Sequence, residues 1–555
     1  MRSARKSRLL WLALFTGIGP LCPTARAIVT YGTSGYNVPP ATGNVDQYEG
    51  IFDGVAGTPI TSNVMVTAAH IFPATNNVPF VYNNGTNTAT TYAVQVVATL
   101  DDLAVWEIAP NSGQSFSYTA PMYTGNSETG LSMVDLGRGY GQGSAITGGW
   151  AWNTNSQPTG LSWGTNTVAS VDTDTAIGAG GNFGGDFLQY NFNPSPSDPN
   201  ECIVSRGDSG GGVFVDVNGT YELDGVNSFF GVRVPMGSTD YVYNLTDANQ
   251  NVLNDALYDT QNYYAWDGYQ QDAPTKITSA IPESSYATRI SSKQNFIGFA
   301  DGSISPANAA ANTISDDGLL TLYSNLTTGA ITGGAQLSVG PYGGVFMTIA
   351  SNSATSQLTS LAIATNSRLD ITNNKIMINY GSADNDPISS IAALIETGYN
   401  NGGWNGAGIY STTAQANSQS YGIGYADSAT PGNPAGLPAG TVEIMYTLLG
   451  DANLDGKVNG TDFTLMATNF NDSVTNGWDR GDFNYDGVVN GADFVLLAEN
   501  FNQYATESAD IAAVNSFVAA NGLGADLPEP TAAGLLLAGA LCLLHRRNPQ
   551  AAWRL

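Results

Sequence analysis

Between residues 28 and 530 the chain has one histidine, His70, since the other, His545, lies near the C-terminus. His70 closes the run Val64-Met-Val-Thr-Ala-Ala-His70, an apolar strand whose small last residues leave the imidazole free to reach a cleft. Downstream, Asp101-Asp102 opens the apolar run Leu103 to Ile108, and Gly207-Asp208-Ser209-Gly210-Gly211 follows. A serine hydroxyl is a weak nucleophile. It needs a neutral imidazole to take its proton and a buried carboxylate to hold that imidazole in the right tautomer. The glycines beside Ser209 allow a tight turn that exposes its side chain and aims the N–H groups of Gly207 and Ser209 at a developing oxyanion. Asp101 and Asp102 both stand where the orienting carboxylate is needed.

A second chemistry is written as a repeat. Asp451-Ala-Asn453-Leu-Asp455-Gly456-Lys457-Val-Asn459-Gly-Thr-Asp462 recurs 31 residues later as Asp482-Phe-Asn484-Tyr-Asp486-Gly487-Val488-Val-Asn490-Gly-Ala-Asp493. Oxygen side chains at loop positions 1, 3, 5, 9 and 12, with Gly at 6, form the EF-hand ligand pattern. Calcium takes 6–8 oxygen donors, and the glycine permits the sharp turn that lets one short loop encircle it. Position 7 gives only a backbone carbonyl, so Lys457 and Val488 both serve. Each loop runs into an apolar helix, Phe463 to Phe470 and Phe494 to Phe501. Two loop–helix units with Asp at position 12 resemble the type I dockerin module. That resemblance implies two calcium ions and docking to a cohesin-like domain, with Gly460-Thr461 and Gly491-Ala492 at the recognition positions.

The surrounding elements read as mainly β. Short apolar runs rich in β-branched and aromatic residues, such as Tyr92 to Val97, Val213 to Val217 and Phe229 to Val234, are split by Gly, Asn and Pro. From 299 to 445 the style continues with more Asn, Ser, Thr and Gly, and Ser367 to Ile371 alternates polar and apolar. A β-sandwich or a short stack of β turns is expected in the N-terminal part of this region, with one amphipathic helix at Ile388 to Thr397. The region has no His or Cys and no catalytic constellation.

Of 555 residues, 42% are hydrophobic, and the net charge is −28. Eight of the 18 basic residues lie in the first 27 or the last 25 positions, so residues 28–530 carry 46 acids against 10 bases. Such a surface repels phosphate backbones and argues against a nucleic-acid partner. Residues 2–8 are basic, Leu9 to Leu21 is mostly apolar, and Ala25-Arg26-Ala27 fits signal-peptidase cleavage before Ile28. At the other end, Pro528-Glu529-Pro530, the apolar run Thr531 to Leu544 and Arg546-Arg547 resemble the PEP-CTERM sorting signal of bacteria, which implies exosortase processing. Between these segments Cys202 is the only cysteine, so no intramolecular disulfide is expected.

The order His70, Asp102, Ser209 resembles the trypsin-like serine peptidases over residues 28–298. Gly57-Thr-Pro-Ile60, Val134 to Gly141, Ser228-Phe229-Phe230-Gly231 and Tyr286-Ala-Thr-Arg-Ile290 resemble further family segments. The resemblance implies a two-barrel fold with His70 as general base and acid, Asp102 as its orienter in preference to Asp101, and Ser209 as nucleophile. It puts Ile203 at the floor of the substrate pocket, with Ser228, Phe229 and Phe230 along it. It also implies pairing of a free Ile28 ammonium with Asp208. The chain departs from the family in lacking its disulfides, in Ser205 for a usual Cys, and in a long insertion from Val232 to Glu283.

The expected organisation is a signal peptide (1–27), a peptidase domain (28–298), a β-rich region (299–445), a small α-helical dockerin-like module (446–505), a linker (506–527) and a sorting tail (528–555). The expected function is that of an exported, surface-associated bacterial serine endopeptidase acting on protein or peptide substrates, with no cofactor for catalysis. The alternative is a non-catalytic surface scaffold or adhesin with an inactive peptidase fold.

Overall fold

The computed structural model describes residues 28–30, 45–71, 78–82, 89–154, 160–173, 185–193, 198–236, 239–246, 253, 255–266, 275–501 and 508–523. The expected signal segment 1–27 and sorting tail 528–555, with Cys22, Cys542 and His545, lie outside the described residues.

The protein is mainly β, with barrel-like sheets and a small helical module. Six antiparallel strands form the first ring: β1 (Gly50–Phe52), β2 (Val55–Pro59), β3 (Val64–Ala68), β4 (Val78–Tyr82), β5 (Thr90–Leu100) and β6 (Leu103–Ile108). Strand β1 pairs with both β2 and β4, and the order β2-β3-β6-β5-β4 closes the circle. Closure leaves no bare edge. Phe52, Met65, Phe80, Tyr82, Val94 and Trp106 fill the interior. The ring of Phe80 lies so close to Gly50 that a Cβ there would come within 2.1 Å of it.

The second ring contains β7 (Ser132–Gly137), β8 (Ser162–Thr167), β9 (Ser170–Asp172), β10 (Phe187–Asn191), β11 (Gly212–Val217), β12 (Thr220–Met236) and β13 (Ser284–Arg289). Strand β8 pairs with β7 and β9 with β10, so the bend at Val168-Ala169 joins the two ends of the sheet. Strand β12 extends past the ring into the insertion, where Val232–Met236 pairs with the strand Thr239–Thr246. Further on, Asp255–Leu257 pairs with Gly149–Trp152.

Residues beyond the second ring form neither a sandwich nor a detached unit. Helix α1 (Gln294–Ala300) crosses the expected 298/299 boundary. After it come β14 (Leu319–Leu322), β15 (Leu326–Thr328), β16 (Ala335–Val339), β17 (Phe346–Ile349), β18 (Ser356–Ile363), β19 (Arg368–Asp370) and β20 (Lys375–Asn379). They pair in parallel as β14-β16-β18-β20 and as β15-β17-β19. This is the stacked-turn alternative: successive coils lay Leu320, Leu337, Leu358 and Ile378 into one core. Strand β14 also pairs antiparallel with β5, Leu320 opposite Leu100, so the first ring and the coils share a sheet.

The far end of the stack is capped by α2 (Ile388–Tyr399), which matches the expected amphipathic helix, and by the antiparallel strands β21 (Tyr421–Asp427) and β22 (Thr441–Leu448). The calcium-type loops follow at once, leading into α3 (Gly460–Thr468) and α4 (Gly491–Phe501). They are packed on the cap: Tyr485 and Trp478 join Tyr399, Trp404 and Tyr425 in one aromatic cluster. Part of the expected linker 506–527 is a helix, α5 (Ser508–Asn521). Its Phe517 ring meets Phe463, Phe470 and Phe494 of the two repeats, which gives the segment an apolar face to bury.

Strand β21 lies at the edge of its sheet, where backbone groups lack a neighbouring strand. The Tyr485 hydroxyl fills that role at Ile423. It receives the Ile423 N–H at 3.2 Å and donates to the Ile423 carbonyl at 2.9 Å. Replacing Tyr485 by Phe leaves both buried groups without this partner. It is expected to cost about 1–3 kcal/mol, measured by denaturant unfolding in saturating calcium.

Candidate active site and calcium module

Strand β3 ends in a 3₁₀ turn, Ala69–Ile71, that carries His70. Strands β5 and β6 are joined by only Asp101 and Asp102, with Leu100 opposite Leu103. The two turns are tied together: Ala69 N–H donates to the Asp102 carbonyl and His70 N–H to Asp102 Oδ1, each at 2.8 Å. The His70 ring lies with Nδ1 2.9 Å from Asp102 Oδ2 and 3.0 Å from Oδ1. Asp102 is fully buried and also accepts the Ser228 hydroxyl. The Asp102 carboxylate, as acceptor, fixes the proton of a neutral imidazole on Nδ1. Nε2 is then an acceptor, and Ser209 Oγ, supplied by the second ring, stands 2.8 Å from it. Burial alone lowers the His70 pKa, but the charge and hydrogen bond of Asp102 outweigh it and the net shift is upward. Asp101 faces away, with its carboxylate 2.6 Å from Lys293 Nζ, so Asp102 alone of the pair meets the imidazole.

The serine sits in a turn that its glycines make possible. Gly207 has φ +94° and Gly210 φ +83°, and a Cβ on Gly210 would fall 2.3 Å from the Ala56 carbonyl oxygen. Among the described residues, the N–H groups of Gly207 and Ser209 hydrogen-bond to no other group. The turn rests on Asp208, which is fully buried and accepts from Gly139 N–H and Ser205 N–H at 2.6 Å and from the Ser205 hydroxyl at 2.9 Å. The Ile28 N–H is a further donor to it. Burial raises the Asp208 pKa to about 6 against the pull of these donors. Val29 and Thr30 pair with Ile203 and Cys202, which holds the Ile28 segment in the second ring.

Beneath the turn lies a polar network that sequence reasoning missed. Asp135 accepts from Tyr190 at 2.5 Å and Asn227 at 2.6 Å, and Asn227 exchanges backbone hydrogen bonds with Gly210 and Gly211. Glu49 receives Gly212 N–H and the Thr58 hydroxyl, each at 2.8 Å. Burial raises Glu49 to about 7 and Asp135 to about 8. The available signal was an acid inside an apolar strand, Met133-Val-Asp135-Leu136.

The four expected pocket residues do not share one surface. Ile203 is buried with Val29, Trp152, Phe192 and Ala256, and Phe230 packs on the same cluster, 4.9 Å from Trp152. Phe229 points to the other side of β12, stacked on Tyr286 at 4.6 Å and edge-on to Phe187 at 5.2 Å. Ser228 turns its hydroxyl to Asp102.

Both calcium-type loops have the same internal frame. Asp455 N–H and Gly456 N–H donate to Asp451, and Ala452 N–H and Asn459 N–H to Asp462. Asp482 and Asp493 receive the equivalent four groups in the second loop. Gly456 at φ +84° and Gly487 at φ +80° make the sharp bends. Carboxylate oxygens of Asp482, Asp486 and Asp493 converge within 4.8 Å of one another, a donor set suited to a hard divalent cation. In the first loop the Thr447 hydroxyl donates to Asp451. Burial, then the neighbouring carboxylates, raises Asp462 and Asp493 to about 7, so these acids gain from a cation that neutralises them.

Comparison with protein families matches residues 449–502 to the dockerin type I domain. A comparison with curated proteins returns no match. Among solved structures, the crystal structure of the Rv3671c protease in its inactive form is similar at 17% identity and a TM-score of 0.21, over 31% of this chain and 70% of that one. Dockerin type I domains bind calcium, and the oxygen donors of these loops fit that ion. Calcium at a hundredfold excess over Kd is therefore expected to stabilise the protein by about 2.7 kcal/mol per site. Unfolding in calcium and in EDTA measures this, and Asp482→Ala should remove the contribution of the second loop.

Proposed function

We propose that the chain is an exported trypsin-like serine endopeptidase. The observation that carries this reading is the hydrogen-bonded line Asp102–His70–Ser209, at 2.9 Å and 2.8 Å. In the proposed mechanism His70 Nε2 takes the Ser209 proton as Oγ attacks a peptide carbonyl, and the imidazolium is stabilised by Asp102. The N–H groups of Gly207 and Ser209 receive the oxyanion. His70 then protonates the leaving amine. It next takes a proton from the water that hydrolyses the acyl-enzyme. Fluorophosphonate labelling of Ser209 tests the assembled triad, since only an activated serine reacts. Ser209→Ala is expected to abolish labelling and to reduce kcat by at least about 10³-fold with the fold intact. A wild-type protein that neither labels nor cleaves would instead be a scaffold with an inactive peptidase fold.

The primary pocket takes uncharged side chains, because the residue at its floor, Ile203, packs with apolar and aromatic side chains and itself offers no counter-charge to Arg or Lys. The calcium module holds two ions, one per loop. Its dockerin type I match supports docking to a cohesin-like domain at the cell surface, and the C-terminal segment adds exosortase-dependent sorting.

Signal peptidase cleavage before Ile28 releases an ammonium that pairs with Asp208 and sets the oxyanion turn. The Ile28 N–H already hydrogen-bonds this carboxylate. Losing one partner of such a buried pair costs about 3–5 kcal/mol. One extra residue before Ile28, or Asp208→Asn, is therefore expected to lower kcat/KM by at least about a hundredfold without blocking secretion. N-terminal sequencing of active secreted protein should read Ile28-Val29; a different start overturns the activation step.

A further inference from the structure

Lys293 is a buried cation outside the roles assigned so far. Its side chain is fully shielded, with Nζ 2.6 Å from Asp101 Oδ2 and 2.7 Å from Asp316 Oδ2. The three residues come from three places: the Asp101-Asp102 turn, the 3₁₀ turn Ser291–Lys293 before α1, and the connection into β14. Asp101 needs external support. It is a non-glycine residue at φ +52° in a two-residue hairpin turn, in the left-handed region that side chains disfavour. Its N–H donates to the Leu319 carbonyl at 3.2 Å. Its carboxylate is roofed on both sides: a Cβ on Gly185 would fall 2.3 Å from Oδ2, and one on Gly318 would fall 1.4 Å from Oδ1. Gly318, Leu319 and Asp316 all belong to the stacked coils.

We propose that the stacked coils position the active site: Asp316 holds Lys293, Lys293 holds Asp101, and Asp101 fixes the turn that presents Asp102 to His70. This rests on the peptidase reading above. The clamp is directional. Asp102 follows Asp101 in a turn with no other residue, so a rotation of the Asp101 backbone moves the Asp102 carboxylate against the imidazole. A stabilising contact alone could lie anywhere along the shared sheet, where β5 and β14 pair. Lys293 lies instead at the residue next to the histidine's partner. Asp316 and Lys293 are positioning residues and touch no substrate.

The test compares the full-length wild type with Asp316→Asn, Asp316→Glu and Gly318→Ala. The readouts are kcat, KM and the His70 titration midpoint by NMR of labelled histidine, with His545 identified through His545→Gln. Asp316→Asn is expected to lower kcat at least tenfold with KM within twofold, and to lower the His70 midpoint as Asp102 draws away. Asp316→Glu should restore most of both. Gly318→Ala displaces the Asp101 carboxylate without removing charge, should give the same pattern, and serves if Asp316→Asn does not fold. Folded variants with unchanged kcat and an unchanged His70 midpoint would overturn the proposal. If the wild type has no activity, the peptidase reading fails, and the His70 midpoint still decides whether the coils hold Asp102.

Discussion

Between residues 28 and 530 the chain has 10 basic side chains for 46 acidic ones, so most carboxylates taken into the interior must find donors other than cations. An ionised carboxylate without donors is too costly to bury. The acids around the candidate active site find such partners in two ways. Asp102, Glu128 and the Asp101–Asp316 pair have a cationic or imidazole partner in His70, Arg289 and Lys293. Asp208, Glu49 and Asp135 rely on backbone N–H groups, hydroxyls and amides, and burial pushes them up to about 6, 7 and 8. Two of these partners, His70 and Lys293, lie on either side of the same turn.

The chemistry was more legible in the sequence than the architecture. A single histidine, a doubled Asp and a Gly-rich serine turn are rare enough to find each other, and they meet within hydrogen-bonding distance. Sequence could not choose between Asp101 and Asp102 by residue type, because that choice depends on which carboxylate the hairpin turn rotates toward Lys293. The face of a strand was also hidden. A bulge between Asn227 and Phe229 resets the alternation in β12, and Phe229 packs against Tyr286 while Phe230 faces Ile203. The stacked coils were half visible. Their inward positions, Leu320, Leu337, Leu358 and Ile378, are unevenly spaced because the turns differ in length, so no fixed repeat stands out. Helix α5 escaped because its burial depends on Phe517 meeting phenylalanines from both repeats, a tertiary match with no local signature.

The units read from sequence are joined more tightly than their boundaries suggest. Strand pairing carries the first ring into the coils, and the coils pass into the calcium loops with only two residues between β22 and Asp451. Thr447 of that strand donates to Asp451, and Trp478 Nε1 donates to the Asp451 carbonyl at 2.8 Å. Order in the loops is thus part of the order of the cap.

Tyr485 sits between Asn484 and Asp486, inside the second loop, yet its hydroxyl covers the open strand at Ile423. A loop that loses its shape with its ion would withdraw that cover and bare the Ile423 N–H and carbonyl on the strand's open side. Bare edges recruit strands from other molecules. The calcium level around the protein would then govern its association with itself as well as its stability: dispersed chains where calcium is plentiful, edge-to-edge clusters where it is withdrawn.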